Sequence, residues 1–226
     1  MTELLFVQGT SGLPDDPDPA RPRNWWRDGS PLTRWLRPRG FVPLCPEDPY
    51  HWTTDLNGWR FWRRWVGKLD SRRDWLVGGR ALRWWLVAKG VDARRRRIWC
   101  HSHGLQVVLH AAAEWHEEIF CEVLVSFGSP LRADVPWQQA LPKIRHWLIV
   151  TDERDLVQAL GRLGDGAIGS YEDLPEHVEV LQIPHIEHSK LLQDEKYFEL
   201  LEAFGILRFT AAAYRSVRRP SLSERG

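Results

Sequence analysis

The pentapeptide Cys100-His101-Ser102-His103-Gly104 is the strongest chemical signal in this 226-residue sequence. It follows the apolar run Ile98-Trp99-Cys100 and precedes an Ala-, Leu- and Val-rich stretch, so it spans a strand-to-helix turn. A serine on such a turn has its hydroxyl lifted clear of the sheet, provided small residues two positions to either side let the backbone pass closely. Gly104 meets that demand fully and Cys100 in part. A serine hydroxyl is inert near neutral pH until a base removes its proton, and the base is useful only when a third group fixes its tautomer.

After such an elbow the expected order is Ser, then Asp or Glu, then His, and this chain supplies it. Asp152, Glu153 and Asp155 follow the apolar run that ends at Val150. Asp155, a few residues into that loop, is preferred as the acid; Asp152 is the alternative, and helix capping is the non-catalytic explanation for either. His188, ahead of the polar helix start Ser189-Lys190, is preferred as the base, with His185 as the alternative. An oxyanion needs preorganised N–H donors, and the candidates are the backbone groups of His103 and of Thr10, in the turn Gln8-Gly9-Thr10-Ser11-Gly12. That turn lacks the Gly-Lys-Ser/Thr of a P-loop and the third glycine of a dinucleotide fingerprint. His110 and His116 are spaced for opposite edges of a helix and read as packing or surface residues. No metal and no cofactor is expected.

The elements that must position these groups follow from apolar continuity and from caps. Strands are expected at Leu4–Val7, Phe41–Cys45, Arg97–Cys100, Phe120–Val125, His146–Val150 and Val178–Ile183. Ser30-Pro31 is an N-cap followed by proline at the first helical position, and Gly40 closes that helix. Further helices are expected at Gly58–Leu69, Asp74–Lys89 with Gly90 as its stop, Leu105–His116 and Leu191–Phe204. Strands alternating with helices at this spacing give a mostly parallel central sheet covered on both faces. Functional groups then collect at the carboxyl ends of the strands, where the residues above lie.

Together, the turn at Gln8-Gly9-Thr10, the elbow at Ser102, the strand end Phe127-Gly128-Ser129-Pro130, the acid loop at Asp155 and Ile186-Glu187-His188-Ser189 resemble the α/β-hydrolase superfamily, in particular its lipase- and esterase-like members. The resemblance runs from about Leu4 to Phe204. It implies a Ser102, Asp155, His188 triad, and a chain that starts at the fold's third strand without the first antiparallel hairpin. Two positions depart from the pattern: Gln8 stands where the family often has His, and Cys100 where it has Gly or Ala.

Composition sets the surroundings. With 43% hydrophobic residues the chain can bury one sizeable core, which excludes a disordered or collagen-like protein. One domain over 1–217 is expected, carrying a Trp- and Arg-rich insertion at about 46–74 and a disordered tail at 218–226. The three cysteines, Cys45, Cys100 and Cys121, form no C-x-x-C pair, and no run is long and apolar enough for a membrane span or a signal peptide; a cytoplasmic location is expected. The net charge of +1 conceals a split, because residues 21–97 hold 17 Arg and 2 Lys against 7 acids, with 10 of the 14 Trp.

Trp stacked under Arg in an ordinary core is the plain explanation of that composition; in particular, Trp62 and Trp65, at helical spacing, read as core, although with Trp52 and Trp59 they could wall a substrate site. Arg94 to Arg97 read as a solvated connection before a buried strand. The function these features imply is hydrolysis of a small-molecule or lipid-like ester, with no nucleic-acid partner expected. The alternative is a non-catalytic protein of the same architecture that uses its Arg/Trp-rich half on a membrane surface or an anionic polymer.

Overall fold

The computed structural model describes residues 1–8, 25–44, 70–130, 132, 135–151, 174–184 and 190–212, with the backbone alone for 70–74. Six strands are found among them: β1 (Thr2–Val7), β2 (Phe41–Leu44), β3 (Arg97–His101), β4 (Cys121–Phe127), β5 (Ile144–Thr151) and β6 (Val178–Gln182). They pair parallel throughout, in the order β2-β1-β3-β4-β5-β6. Central parallel strands are buried on both faces and read as unbroken apolar runs; Leu4, Leu5, Phe6 and Val7 are accordingly all at most 1% exposed. Pro43 is tolerated because β2 is the edge strand, where a missing N–H leaves no ladder bond unmade.

Helices α1 (Pro31–Leu36), α2 (Asp70–Lys89), α3 (Gly104–Ala113), α4 (Trp137–Ala140), α5 (Lys190–Gln193), α6 (Phe198–Ala203) and α7 (Ile206–Ala211) complete the described part. From β1 the chain moves one way to β2, then doubles back past β1 to β3 and continues in that direction. Right-handed crossovers therefore put α1 on one face and α2, α3 and α4 on the other. The core divides in that way: Leu32 and Leu36 lie with Trp99, Val125 and the C-terminal helices, whereas Trp75, Leu82, Leu105 and Ala140 lie with Ile98, Cys100 and Trp147.

Buried tryptophan usually finds an acceptor for its indole N–H. Trp99 donates to Thr210 Oγ1 at 2.9 Å, Trp147 to Ser126 Oγ at 2.9 Å and Trp25 to Gln8 Oε1 at 2.7 Å. Arg39 lies 3.9 Å from the Trp35 ring centre and Arg96 4.6 Å from that of Trp115, so stacking under cations is how much of this aromatic content is used.

Ser30 caps α1 as expected, accepting from Thr33 N at 3.2 Å and donating to Trp25 O at 2.9 Å. Because Ser30 is fully buried, Ser30→Ala should cost about 1–2 kcal/mol. A urea-unfolding midpoint equal to wild type would rule this out.

Four expectations are corrected. Helix α2 starts at Asp70 rather than Asp74, so the end of the 46–74 segment is its first turn. Helix α3 ends at Ala113 rather than His116, because the chain turns there to bury Trp115 edge-on against Phe120, 5.5 Å between ring centres. The expected helix Leu191–Phe204 is broken at Asp194, which is extended and caps a new turn by accepting from Lys196 N at 3.3 Å. Within Arg94–Arg97, Arg96 is 2% exposed and its guanidinium donates to the carbonyls of Phe120 and Val91; only Arg94 and Arg95 face solvent freely. The expected helix 58–69, the residues Trp52, Trp59, Trp62 and Trp65, and the tail 218–226 lie outside the described residues.

Candidate active site

The reversal of connection direction lies between β1 and β3, and in open parallel sheets the crevice at such a switch point is where ligands bind. Gln8 follows β1 and Ser102 follows β3, each 6% exposed, so the elbow stands at that crevice. Ser102 has φ +53°, the one positive φ among the described non-glycine residues. A left-handed serine costs about 1–2 kcal/mol, and the surroundings hold it there. Its N–H donates to Phe127 O at 2.9 Å, while its carbonyl accepts from Leu105 N at 3.3 Å and that of His103 from Gln106 N at 3.0 Å. The strand must become a helix within two residues, and the left-handed step at Ser102 makes that possible.

Cys100, the departure from the elbow pattern, fits without exposure: its thiol is fully buried on the α3 side and hydrogen-bonds the side chain of Ser129. Ser129 in turn donates from Oγ to Phe127 O at 3.2 Å, so the same carbonyl that receives Ser102 N–H anchors the partner of Cys100. The thiol occupies space that a glycine would leave as a void. The second departure, Gln8, is also employed, since its Oε1 accepts from Trp25 and ties the end of β1 to an aromatic group that meets the His101 ring edge-on at 6.3 Å.

Burial pushes the Cys121 thiol up to about 12, and burial followed by the neighbouring Cys121 raises Cys100 well above its ordinary range. Both thiols thus stay protonated in the folded chain where the unfolded chain would ionise. The folded state is favoured below about pH 9 and loses that advantage as pH rises toward 12. Replacing both cysteines by alanine should flatten the fall in melting temperature above pH 9, and an unchanged slope would contradict it. Iodoacetamide should modify these two thiols only after denaturation, as peptide mass spectrometry can check.

His103 caps the N-terminal end of α3 with φ −65° and ψ −6°, placing its backbone N–H at the positive end of the helix dipole. Its ring stacks on Trp75 of α2, 5.4 Å between centroids and 28° between planes. The loop after β4 is tied to the same helix: Gly128, at φ +55°, donates to Val150 O, and the buried Gln106 donates from Nε2 to Pro130 O at 2.7 Å. Trp75 and Gln106 gave no chemical signal in the sequence, and Ser129 only its place at a strand end, because each acts through a neighbour brought from another element.

Of the expected site residues, only Ser102 and His103, neighbours in the chain, are described; Thr10, Asp152, Asp155, His185 and His188 lie outside the described residues. What is described is where their segments depart. Thr151 pairs with Gln182 and accepts from Ile183 N at 2.9 Å, so the connections carrying both candidate acids and both candidate bases leave adjacent strand ends. His110 packs at the α2–α3 crossing and His116 is exposed beside Glu117 at 3.5 Å. Among the described residues no group of three His, Cys, Asp or Glu is placed to hold a metal, and no helix is long and apolar enough to cross a membrane.

No protein-family model and no curated relative matches the sequence. Solved structures do match. A dienelactone hydrolase from Anabaena variabilis is 20% identical over 92% of this chain and 87% of its own, with TM-score 0.54. An alpha/beta hydrolase enzyme from a lagoon-sediment metagenome of Mar Chica, Morocco, is 15% identical over 92% of this chain and 91% of its own, with TM-score 0.51. The six parallel strands, the two covered faces and the strained serine at the switch point thus belong to a chain with the α/β-hydrolase fold.

Proposed function

We propose that this protein is a serine hydrolase that cleaves a carboxylic ester through an acyl-enzyme. The observation that carries the reading is the left-handed backbone of Ser102 between β3 and α3, a strained conformation that the surrounding hydrogen bonds maintain. The solved dienelactone hydrolase and alpha/beta hydrolase of the same fold support a hydrolytic reaction.

In this reading His188 takes the proton of Ser102 as the oxygen attacks the ester carbonyl, and Asp155 holds the imidazole in the required tautomer. The backbone N–H groups of His103 and Thr10 bind the oxyanion. Collapse expels the alcohol with the proton from His188; water, deprotonated by the same ring, then attacks the acyl-enzyme and releases the acid. Asp152→Asn and His185→Ala, compared with Asp155→Asn and His188→Ala, decide between the two acids and the two bases. The substrate class is a small-molecule or lipid-like ester, and the buried free thiols suit a cytoplasmic location.

The test is covalent labelling with a fluorophosphonate probe, run beside turnover of a panel of p-nitrophenyl esters. Labelling and turnover should be present in wild type and absent in Ser102→Ala. Equal turnover by the two proteins, or a folded wild type that never labels, would falsify the assignment.

A further inference from the structure

We propose that Trp75 is a positioning residue for the elbow: through its stack on His103 it holds the backbone N–H of that residue toward the oxyanion. This deepens the serine-hydrolase reading and rests on it. The stack joins α2 to the turn immediately after the nucleophile, with 5.4 Å between centroids and 28° between planes. His103 lies between Ser102, whose backbone is strained, and Gly104, which has no side chain to brace the turn. A strained turn keeps its conformation only when its neighbours over-determine it, and an oxyanion donor is effective only when held to a fraction of an ångström. The imidazole is the side chain by which that peptide can be gripped.

The indole is itself held. Trp75 is 4% exposed within the core on the α2–α3 face, and the Arg132 guanidinium, from the loop after β4, stands 5.3 Å from its ring centre. Three segments therefore meet on one buried aromatic group: α2, the elbow and the loop after β4. With so little surface exposed, Trp75 acts through His103 and not on the substrate.

The experiment measures p-nitrophenyl ester kinetics and the fluorophosphonate labelling rate for Trp75→Leu, Trp75→Phe, His103→Ala and the double variant Trp75→Leu/His103→Ala. His103→Ala removes the stack from the other side while keeping the N–H. Each of Trp75→Leu and His103→Ala should lower kcat and the labelling rate about 10–100-fold with KM within about threefold. Trp75→Phe should recover most of the rate, and the double variant should lose no more than either single one. Trp85→Leu, at a 6% exposed site further along α2, controls for lost packing and should keep kcat within about twofold at a comparable melting temperature.

Wild-type rates in Trp75→Leu, additive losses in the double variant, or an equal loss in Trp85→Leu would overturn the proposal. Should Trp75→Leu not fold, His103→Ala and Trp75→Phe still decide it. The two levels fail separately: a wild type that does not label at Ser102 ends the hydrolase reading and this proposal with it, whereas Ser102-dependent labelling at one rate in wild type and both stack variants ends this proposal alone.

Discussion

Ser102→Gly is expected to melt higher than wild type while losing all measurable ester turnover. At φ +53° a serine is held in a region that disfavours any Cβ, and glycine enters that region freely. Relief of about 1–2 kcal/mol is offset by the greater freedom of glycine in the unfolded chain, about 0.4–1 kcal/mol. The net gain is then up to about 1.6 kcal/mol and centred near 0.8, or a rise of roughly 2–3 °C for a chain of this size. The hydrogen bond from the N–H at 102 to Phe127 O does not involve the side chain and persists. Ser102→Ala removes the hydroxyl but keeps the strained Cβ, so its melting temperature should stay near wild type. Both substitutions should lower kcat by about 10⁴–10⁶-fold, since the loss of a triad nucleophile leaves only binding and the oxyanion donors. A glycine variant that melts lower than the alanine variant would show that the serine is not strained, whatever its activity.

Gly79→Ala should destabilise the protein by about 1–3 kcal/mol, although alanine in a helix is ordinarily favoured over glycine by about 1 kcal/mol. The reason is the crossing of α2 and α3. A methyl group at 79 would stand 2.7 Å from His110 Cβ, 3.0 Å from Ala111 N and 3.1 Å from Val107 O. Two of those three atoms are backbone and cannot rotate away, and α3 cannot retreat because Val107, Val108, Ala111 and Ala112 are buried beneath it. The helices must separate, at a cost read as a fall in melting temperature of roughly 2–4 °C per kcal/mol. Gly90, by contrast, has open space around it and φ +62°, so Gly90→Ala should cost about 1 kcal/mol through strain alone. A Gly79→Ala variant at least as stable as wild type would mean that helix propensity outweighs the contact.

Strand positions were legible because a buried parallel strand has to be apolar on both sides, which leaves an unbroken run in the sequence. Leu4–Val7 and His146–Val150 show it, and even the proline in Phe41–Leu44 is accounted for by an edge position. Caps were legible for a related reason: Ser30 and Gly90 act on backbone groups within a few residues of themselves. The limits of α2 and α3 were not, since the polar first turn of α2 carries no apolar period, and α3 stops where Trp115 finds Phe120 and Arg96.

Local order, then, was determined by the sequence itself: which segments extend, where Ser30 and Gly90 cap helices, and that a serine stands between a strand and a helix with aspartates and histidines after it in the chain. Tertiary structure alone decided what bears on that serine. The carbonyl of Phe127 comes from the next strand, the indole of Trp75 from a helix position 27 residues earlier, and the hydroxyl beside Cys100 from the loop after β4. Packing between elements depends on crossing distances set by small residues such as Gly79, and a crossing distance has no signature in any one segment, because both helices define it together.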